Sequence, residues 1–413
     1  MDVQWAFVSV VITSFVHFIL RIVLGRNLGP DGLGVFTLTF TIYLFGMQFA
    51  AFGIHAALTK YVAEYLNDKV KIRGYVSSGM TSSILTGAIM GFFVFLIAPY
   101  LAISFFKIPE MVLYLQLTAL CYPFIAIQKA VLGTLNGFRR MDLFAFLNII
   151  QNISIVVVSV ILVKSFNMDV LGAVIGFVVP TIVIGILCPI LIRDYLGLDN
   201  FLWNVPALRE TTIFGFYVVL GNSIFFLNTQ LSSILIGYFL NSIEVGIYAV
   251  ATLLAQTLTL IPSAIQRITA PKTAFMYGKG NILGIREVLH SIMWKTFLIT
   301  IVIALAIAFF GQYLIVLLFG NDFLSAYFPL LILLVGYTIF APFMSVGSTL
   351  SSIGKVNIPF RIHAICGLFN LILNILLIPP FGINGAAYAT TFSLIISFLI
   401  NNHLINRYLK LDF

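Results

Sequence analysis

VQWAFVSVVITSFVHFILRIVL (3–24) runs into GRNLGPDGLGVF (25–36), and a second apolar stretch then continues to residue 57. About 20 mostly apolar residues suffice for a helix to cross the bilayer core. Pro30-Asp31-Gly32 is a turn tripeptide, in which Pro fixes φ, Asp bonds backbone and Gly permits positive φ. The opening therefore reads as two membrane helices joined by a tight corner, and the same pattern recurs along the chain. Spans are predicted near 3–25, 33–57, 75–98, 110–134, 143–164, 169–192, 211–239, 246–268, 289–319, 325–351, 358–379 and 384–406, the ninth with room for a kink. Nothing like a cleavage site follows the first apolar run, so it is expected to be a retained span.

Composition leaves no other solvent than lipid. Hydrophobic residues make up 61% of the 413, charged residues 9%, and the mean hydropathy is +1.10. A soluble domain carries roughly 25% charged residues. The net charge of +8 does not point to nucleic acid, because the basic residues fall in short clusters between apolar runs. Lys60, Lys69, Lys71, Arg73, Arg139, Arg140, Arg193, Arg209, Lys272, Lys279, Arg286, Lys355 and Arg361 share one set of loops, and Arg407 and Lys410 the tail. The other set holds Arg26, Lys107 and Lys164. The positive-inside rule then places both termini in the cytoplasm of a multi-pass plasma-membrane protein, with anionic lipid as the partner of the basic clusters.

The chain repeats itself. LGPDGLGVF (28–36) resembles LNSIEVGIY (240–248), aligning Gly34 with Gly246 (246 − 34 = 212), and Lys60 aligns with Lys272 at the same offset. VLGAV (170–174) resembles INGAA (383–387) one residue further out. Six spans per repeat give both halves one orientation. The expected fold is thus all-α, about twelve transmembrane helices in two pseudo-symmetric six-helix bundles: residues 1–192, a cytoplasmic linker 193–210, and residues 211–413. Stretches 58–76 and 270–289 mix apolar and charged residues and suit helices lying on the cytoplasmic face.

Enzymatic signatures are missing from the sequence. It has no Walker-type phosphate loop, no H-E-x-x-H, no Cys/His cluster and no paired carboxylates inside a span, so neither a metal nor a cofactor is expected. Cys121, Cys188 and Cys366 each sit in an apolar run and read as small buried hydrophobes. A membrane-embedded glycosyltransferase would need a catalytic carboxylate or a large polar loop, and the loops are short.

What stands out is polar chemistry inside the spans. Arg21 follows a long apolar run, with His17 one turn earlier on the same face. A charge within a span is costly and usually faces a bundle interior or a water-filled cavity. Arg21 is then a cationic site for an anionic headgroup, or it snorkels to the interface; His17 handles a proton or simply packs. Asn222, Asn228, Gln230 and Gln256 lie in the first two spans of the second half, where they bond sugar hydroxyls in a cavity or serve as interhelical glue. Arg26 and Asp31 form an outer gate or a structural corner. Lys60, Arg267 and Lys272 stand at the cytoplasmic mouth, attracting a headgroup or only fixing topology.

The run Arg21…Gly25-Arg26-x-Leu28-Gly29-Pro30-x-Gly32-x-Gly34 and the late Gly382-x-x-Gly385-Ala386-Ala387 resemble the polysaccharide-biosynthesis flippases, O-antigen type included. Their superfamily also holds multidrug-and-toxin extruders and lipid II flippases. The resemblance covers essentially the whole chain. It implies a V-shaped pair of bundles around a central cavity, and a polyprenyl (di)phosphate bearing sugars as substrate. It also implies a monomer working beside glycosyltransferases or a polymerase of the same pathway. Arg21 matches a position where the family places cavity arginines. The chain departs from the lipid II flippases in lacking two further spans and their richer arginine set. It departs from the multidrug extruders in having no acidic residue deep in an early span. An ion-coupled small-molecule antiporter is the alternative.

Overall fold

Gly29 and Gly382 have φ of 66° and 60°, left-handed values that a glycine adopts without a Cβ clash. At each, two helices fold back on one another. Across Gly29 the His17 and Phe40 rings meet with centroids 6.4 Å apart. Across Gly382, Ser393 Oγ donates to the Cys366 carbonyl at 3.1 Å. The computed structural model describes residues 2–196, 205–355 and 357–409. The central part of the expected linker and Lys410 of the tail lie outside them.

Among the described residues twelve helices follow in chain order. They are α1 (2–28), α2 (30–51 with Ile54–Glu64), α3 (Lys69–Pro99), α4 (Met111–Ala119 with Tyr122–Gly137), α5 (Met141–Lys164) and α6 (Asp169–Leu187). Then come α7 (Val205–Phe239), α8 (Ser242–Gln256 with Leu260–Gly278), α9 (Ile282–Leu318), α10 (Tyr327–Val346 with Thr349–Ser352), α11 (357–381) and α12 (383–409). By length and apolarity eight helical segments among the described residues can cross a membrane, ten if each bent pair is one span, and two of the eight are the folded-back hairpins of 54 and 53 residues. The outward faces are apolar: on α9, Val302 is 65% and Phe309 82% exposed, as suits a helix solvated by lipid tails.

The repeat seen in sequence reappears as matching junctions. Gly29, joining α1 and α2, corresponds to Asn241, joining α7 and α8 (241 − 29 = 212). The left-handed residues Lys107 and Asp169 correspond to the left-handed Gly320 and Gly382 (320 − 107 = 213; 382 − 169 = 213). Asp68 caps α3 by accepting from Lys71 N, and Asn281 caps α9 by accepting from Gly284 N (281 − 68 = 213). Those caps revise the expected surface helices. The stretches 58–76 and 270–289 are capped corners between successive helices, because a side-chain acceptor at each corner satisfies the first free amides of the next helix. The ninth segment is one unbroken helix of 37 residues.

By internal packing the chain divides into Met1–Ser223 and Ile224–Phe413. The first unit packs a core of Ile54, Leu58, Val62, Ile72, Val76, Met80, Val131 and Leu135. Its backbones approach closely where α7 meets α2: a Cβ on Gly53 would lie 2.8 Å from Gly215 Cα. In lipid such small-residue contacts, rather than hydrophobic collapse, bind helices together. Beside that contact Tyr75 Oη donates to Glu210 Oε2 at 2.7 Å, and Lys60 Nζ lies over the Tyr61 and Phe214 rings at 4.6 and 5.3 Å. The second unit packs Ile285, Leu289, Phe343, Val346, Leu350, Ile362 and Ile405.

Candidate functional site

In the first unit α1 presents His17 and Arg21 one turn apart, both half-buried. His17 Nε2 lies 2.6 Å from Asn152 Oδ1 on α5, so the nitrogen donates and the amide oxygen accepts. The Asn152 amide in turn donates to the Asn148 carbonyl at 2.6 Å and reaches Thr13 Oγ1 at 3.5 Å. The Phe40 ring lies tilted beside the imidazole, centroids 6.4 Å apart. The Arg21 charge acts on the same ring. Among the described residues no carboxylate forms an ion pair with Arg21. An unneutralised guanidinium on a half-buried helix face is a fork ready to take a phosphate or carboxylate in two hydrogen bonds.

The remaining predicted residues are placed as follows. Arg26 and Asp31 are exposed at the corner around Gly29, and Lys60 is exposed over its aromatic pair. Arg267 and Lys272 are exposed on the second segment of α8. Asn222 is half-buried in the first unit, and Asn228 and Gln230 are half-buried in the second. The Asn228 amide donates to Ile224 O at 3.0 Å and to His363 O at 2.9 Å, tying α7 to α11. Both of its N–H groups are thereby engaged inside the protein. Gln256 ends the first segment of α8 and bonds Tyr337. The structure thus brings His17 and Arg21 together, and it gives Asn228 a helix-tying partner.

Two groups escaped the reading of the sequence. Lys129 lies within the apolar α4, where the Lys of AIQKAVLG (126–133) interrupts no span, and it is half-buried. Its charge acts on His55, which follows the break in α2 at Phe52 and Gly53. That break has left-handed φ at both residues, 43° and 65°. The signal available in the sequence was the bare count of a lysine inside a span. Among groups of His, Cys, Asp and Glu in the described residues, none is arranged to hold a metal ion.

Comparison with known proteins bears on this arrangement. The profile of the family described as polysaccharide biosynthesis protein matches residues 1–271, and that described as MatE matches residues 218–376. An uncharacterized membrane protein of Methanocaldococcus jannaschii is 25% identical, over 100% of this chain and 84% of its own length. The probable low-salt glycan biosynthesis flippase Agl15 of Haloferax volcanii is 25% identical, over 94% of this chain and 79% of its own. Among solved structures, the lipid II flippase MurJ in an inward closed conformation superposes with a TM-score of 0.82 at 15% identity. That match covers 98% of this chain and 87% of the other.

Proposed function

The chain belongs to the polysaccharide biosynthesis protein family, and on that premise we propose that it translocates a polyprenyl-phosphate-linked oligosaccharide across the membrane for cell-surface polysaccharide or glycan assembly. It is a membrane transporter, not an enzyme. A phosphorylated glycan cannot enter hydrocarbon without losing the water on every polar group. A polar cavity between two bundles replaces that water while the lipid tail stays in the bilayer. The twelve helices cross as two halves, 1–192 and 211–413, with both termini in the cytoplasm. The halves rock about the bound headgroup to expose it on either side in turn.

The observation that carries this reading is the half-buried Arg21, held beside His17 with no carboxylate paired to it among the described residues. Arg21 takes the phosphate or an acidic sugar. Asn222, Gln230 and Gln256 bond sugar hydroxyls, and Asn228 serves mainly to tie α7 to α11. Lys60, Arg267 and Lys272 draw the headgroup to the cytoplasmic mouth, and Arg26 with Asp31 form the outer corner. Reconstitution in vesicles with a fluorescent isoprenyl-diphosphate-linked oligosaccharide tests it. Arg21→Ala is expected to abolish translocation while the protein still inserts, and Arg21→Lys to retain part of it. Unchanged translocation in Arg21→Ala removes Arg21 from the site. The MatE match over 218–376 supports a second reading, an ion-coupled antiporter. Export of soluble organic cations with no transfer of the lipid-linked sugar would select it.

A further inference from the structure

The break in α2 has polar groups around it that its own packing leaves unused. His55 Nδ1 is buried without a hydrogen-bond partner, and so are Ser82 Oγ and Ser83 Oγ of α3. Ser82 and Ser83 are 4% and 0% exposed. The face of α3 that carries them is the one turned to α2. Thr86 Oγ1 donates across to the Ala50 carbonyl at 2.7 Å, and a Cβ on Gly79 would lie 2.8 Å from Leu58 Cδ2. These two contacts bracket the break and set Ser82 and Ser83 at the level of Phe52 to His55.

From the other side α4 runs alongside α2. Thr59 Oγ1 donates to His55 O at 2.9 Å and to Gly133 O at 3.0 Å, and a Cβ on Gly133 would lie 2.7 Å from His55 Cα. One turn before Gly133, Lys129 stands level with the break, within electrostatic reach of His55. No carboxylate of the described residues forms an ion pair with it. A cation, two hydroxyl donors and an imidazole nitrogen thus surround one interruption of a membrane helix. Buried polar groups are normally paired, and a cation in a span normally has a counter-charge. The unused set is donor-rich and positive, which is the complement of an oxyanion.

We infer that Lys129, His55, Ser82 and Ser83 form a second anion subsite, for the phosphate borne by an isoprenoid lipid, at the opposite level of the first unit from Arg21. With His17 opposite Phe40, Arg21 is level with the first turns of α2, and at 1.5 Å per residue the break lies roughly 25 Å further along that helix. A phosphate therefore meets two separate cationic levels within one unit. The assignment rests on the proposed function and adds the path of the charged group to it.

The test is calorimetric binding of geranyl diphosphate to the purified full chain in detergent, with geraniol as the uncharged control and inorganic pyrophosphate as competitor. Lys129→Met is expected to weaken geranyl diphosphate at least tenfold, Lys129→Arg less than threefold, and the pair Ser82→Ala with Ser83→Ala at least threefold. Geraniol should bind all of them alike. Pyrophosphate should compete far more weakly than geranyl diphosphate. Wild-type affinity in Lys129→Met, with Lys129→Arg and the serine pair also unaltered, overturns the subsite. Pyrophosphate as potent as the lipid overturns its assignment to a lipid-borne phosphate. The function itself fails separately, if wild-type vesicles translocate no isoprenyl-diphosphate oligosaccharide.

Discussion

Gly133→Ala adds one methyl group at the contact that seats α4 on α2. Its Cβ would lie 2.7 Å from His55 Cα and nearer still to the His55 carbonyl oxygen. Both are backbone atoms, so no side-chain rotation relieves the overlap and the helices must separate by several tenths of an ångström or more. Separation strains the Thr59 bridge, whose hydroxyl reaches His55 O at 2.9 Å and Gly133 O at 3.0 Å. It also loosens Ala130, Val131, Leu132 and Leu135, which flank the glycine in the core. Overpacking costs about 1–3 kcal/mol, and a hydrogen bond adds about 1 kcal/mol. A loss of about 2–4 kcal/mol in a unit of this size lowers Tm by about 4–16 °C. Gly221→Ala is the control, since a Cβ there meets nothing within 4 Å and the change should stabilise α7 by about 0.5–1 kcal/mol. The three cysteines are buried, so a thiol-reactive fluorogenic dye reports unfolding directly. A Gly133→Ala protein that melts with or above Gly221→Ala would refute the close approach.

Asn152→Leu keeps the branched shape but removes the acceptor of His17 Nε2, 2.6 Å away. Stability should fall by about 0.6 kcal/mol and at most about 1.7, while translocation falls more steeply because Arg21 loses a fixed neighbour; equal transport in vesicles at equal insertion would count against that role. Asp68→Ala and Asn281→Ala each remove a helix cap and should each cost about 1 kcal/mol. The two lie in different units, so thermal unfolding of the double variant should show additive losses. Tyr75→Phe removes the donor to Glu210 Oε2. A double-mutant cycle with Glu210→Gln should give a coupling below about 1.5 kcal/mol, and a coupling indistinguishable from zero would mean the pair does not hold α7 to the first unit.

Much of this architecture is legible in the chain because its determinants are local. Twenty apolar residues commit a segment to lipid wherever it sits; the corner after the first span was legible too, although the turn falls at Gly29, and Pro30, Asp31 and Gly32, expected to form it, already belong to α2. The same holds for the offset of 212 to 213, which reappears as paired left-handed residues and paired caps. Arg21 and His17 were recoverable because residues four apart on a helix share a face.

Tertiary packing decided the rest. Hydropathy counts residues without regard to direction around the helix axis, so it saw Lys129 only as one blemish in an apolar run. That this lysine comes within electrostatic reach of His55 and level with Ser82 depends on how α2, α3 and α4 are rotated against one another. Those rotations are set by where glycines admit a neighbour closely, Gly133 against the His55 backbone and Gly79 against the Leu58 side chain. The interruption of α2 at Phe52 and Gly53 also escapes composition, since the carbonyl of Ala50 accepts from the hydroxyl of Thr86, 36 residues further on. Sequence alone determined that the chain lives in lipid and repeats itself. Which polar groups face each other was fixed only when neighbouring helices closed the distances, because a contact belongs to two surfaces and the pattern of one helix describes a single one.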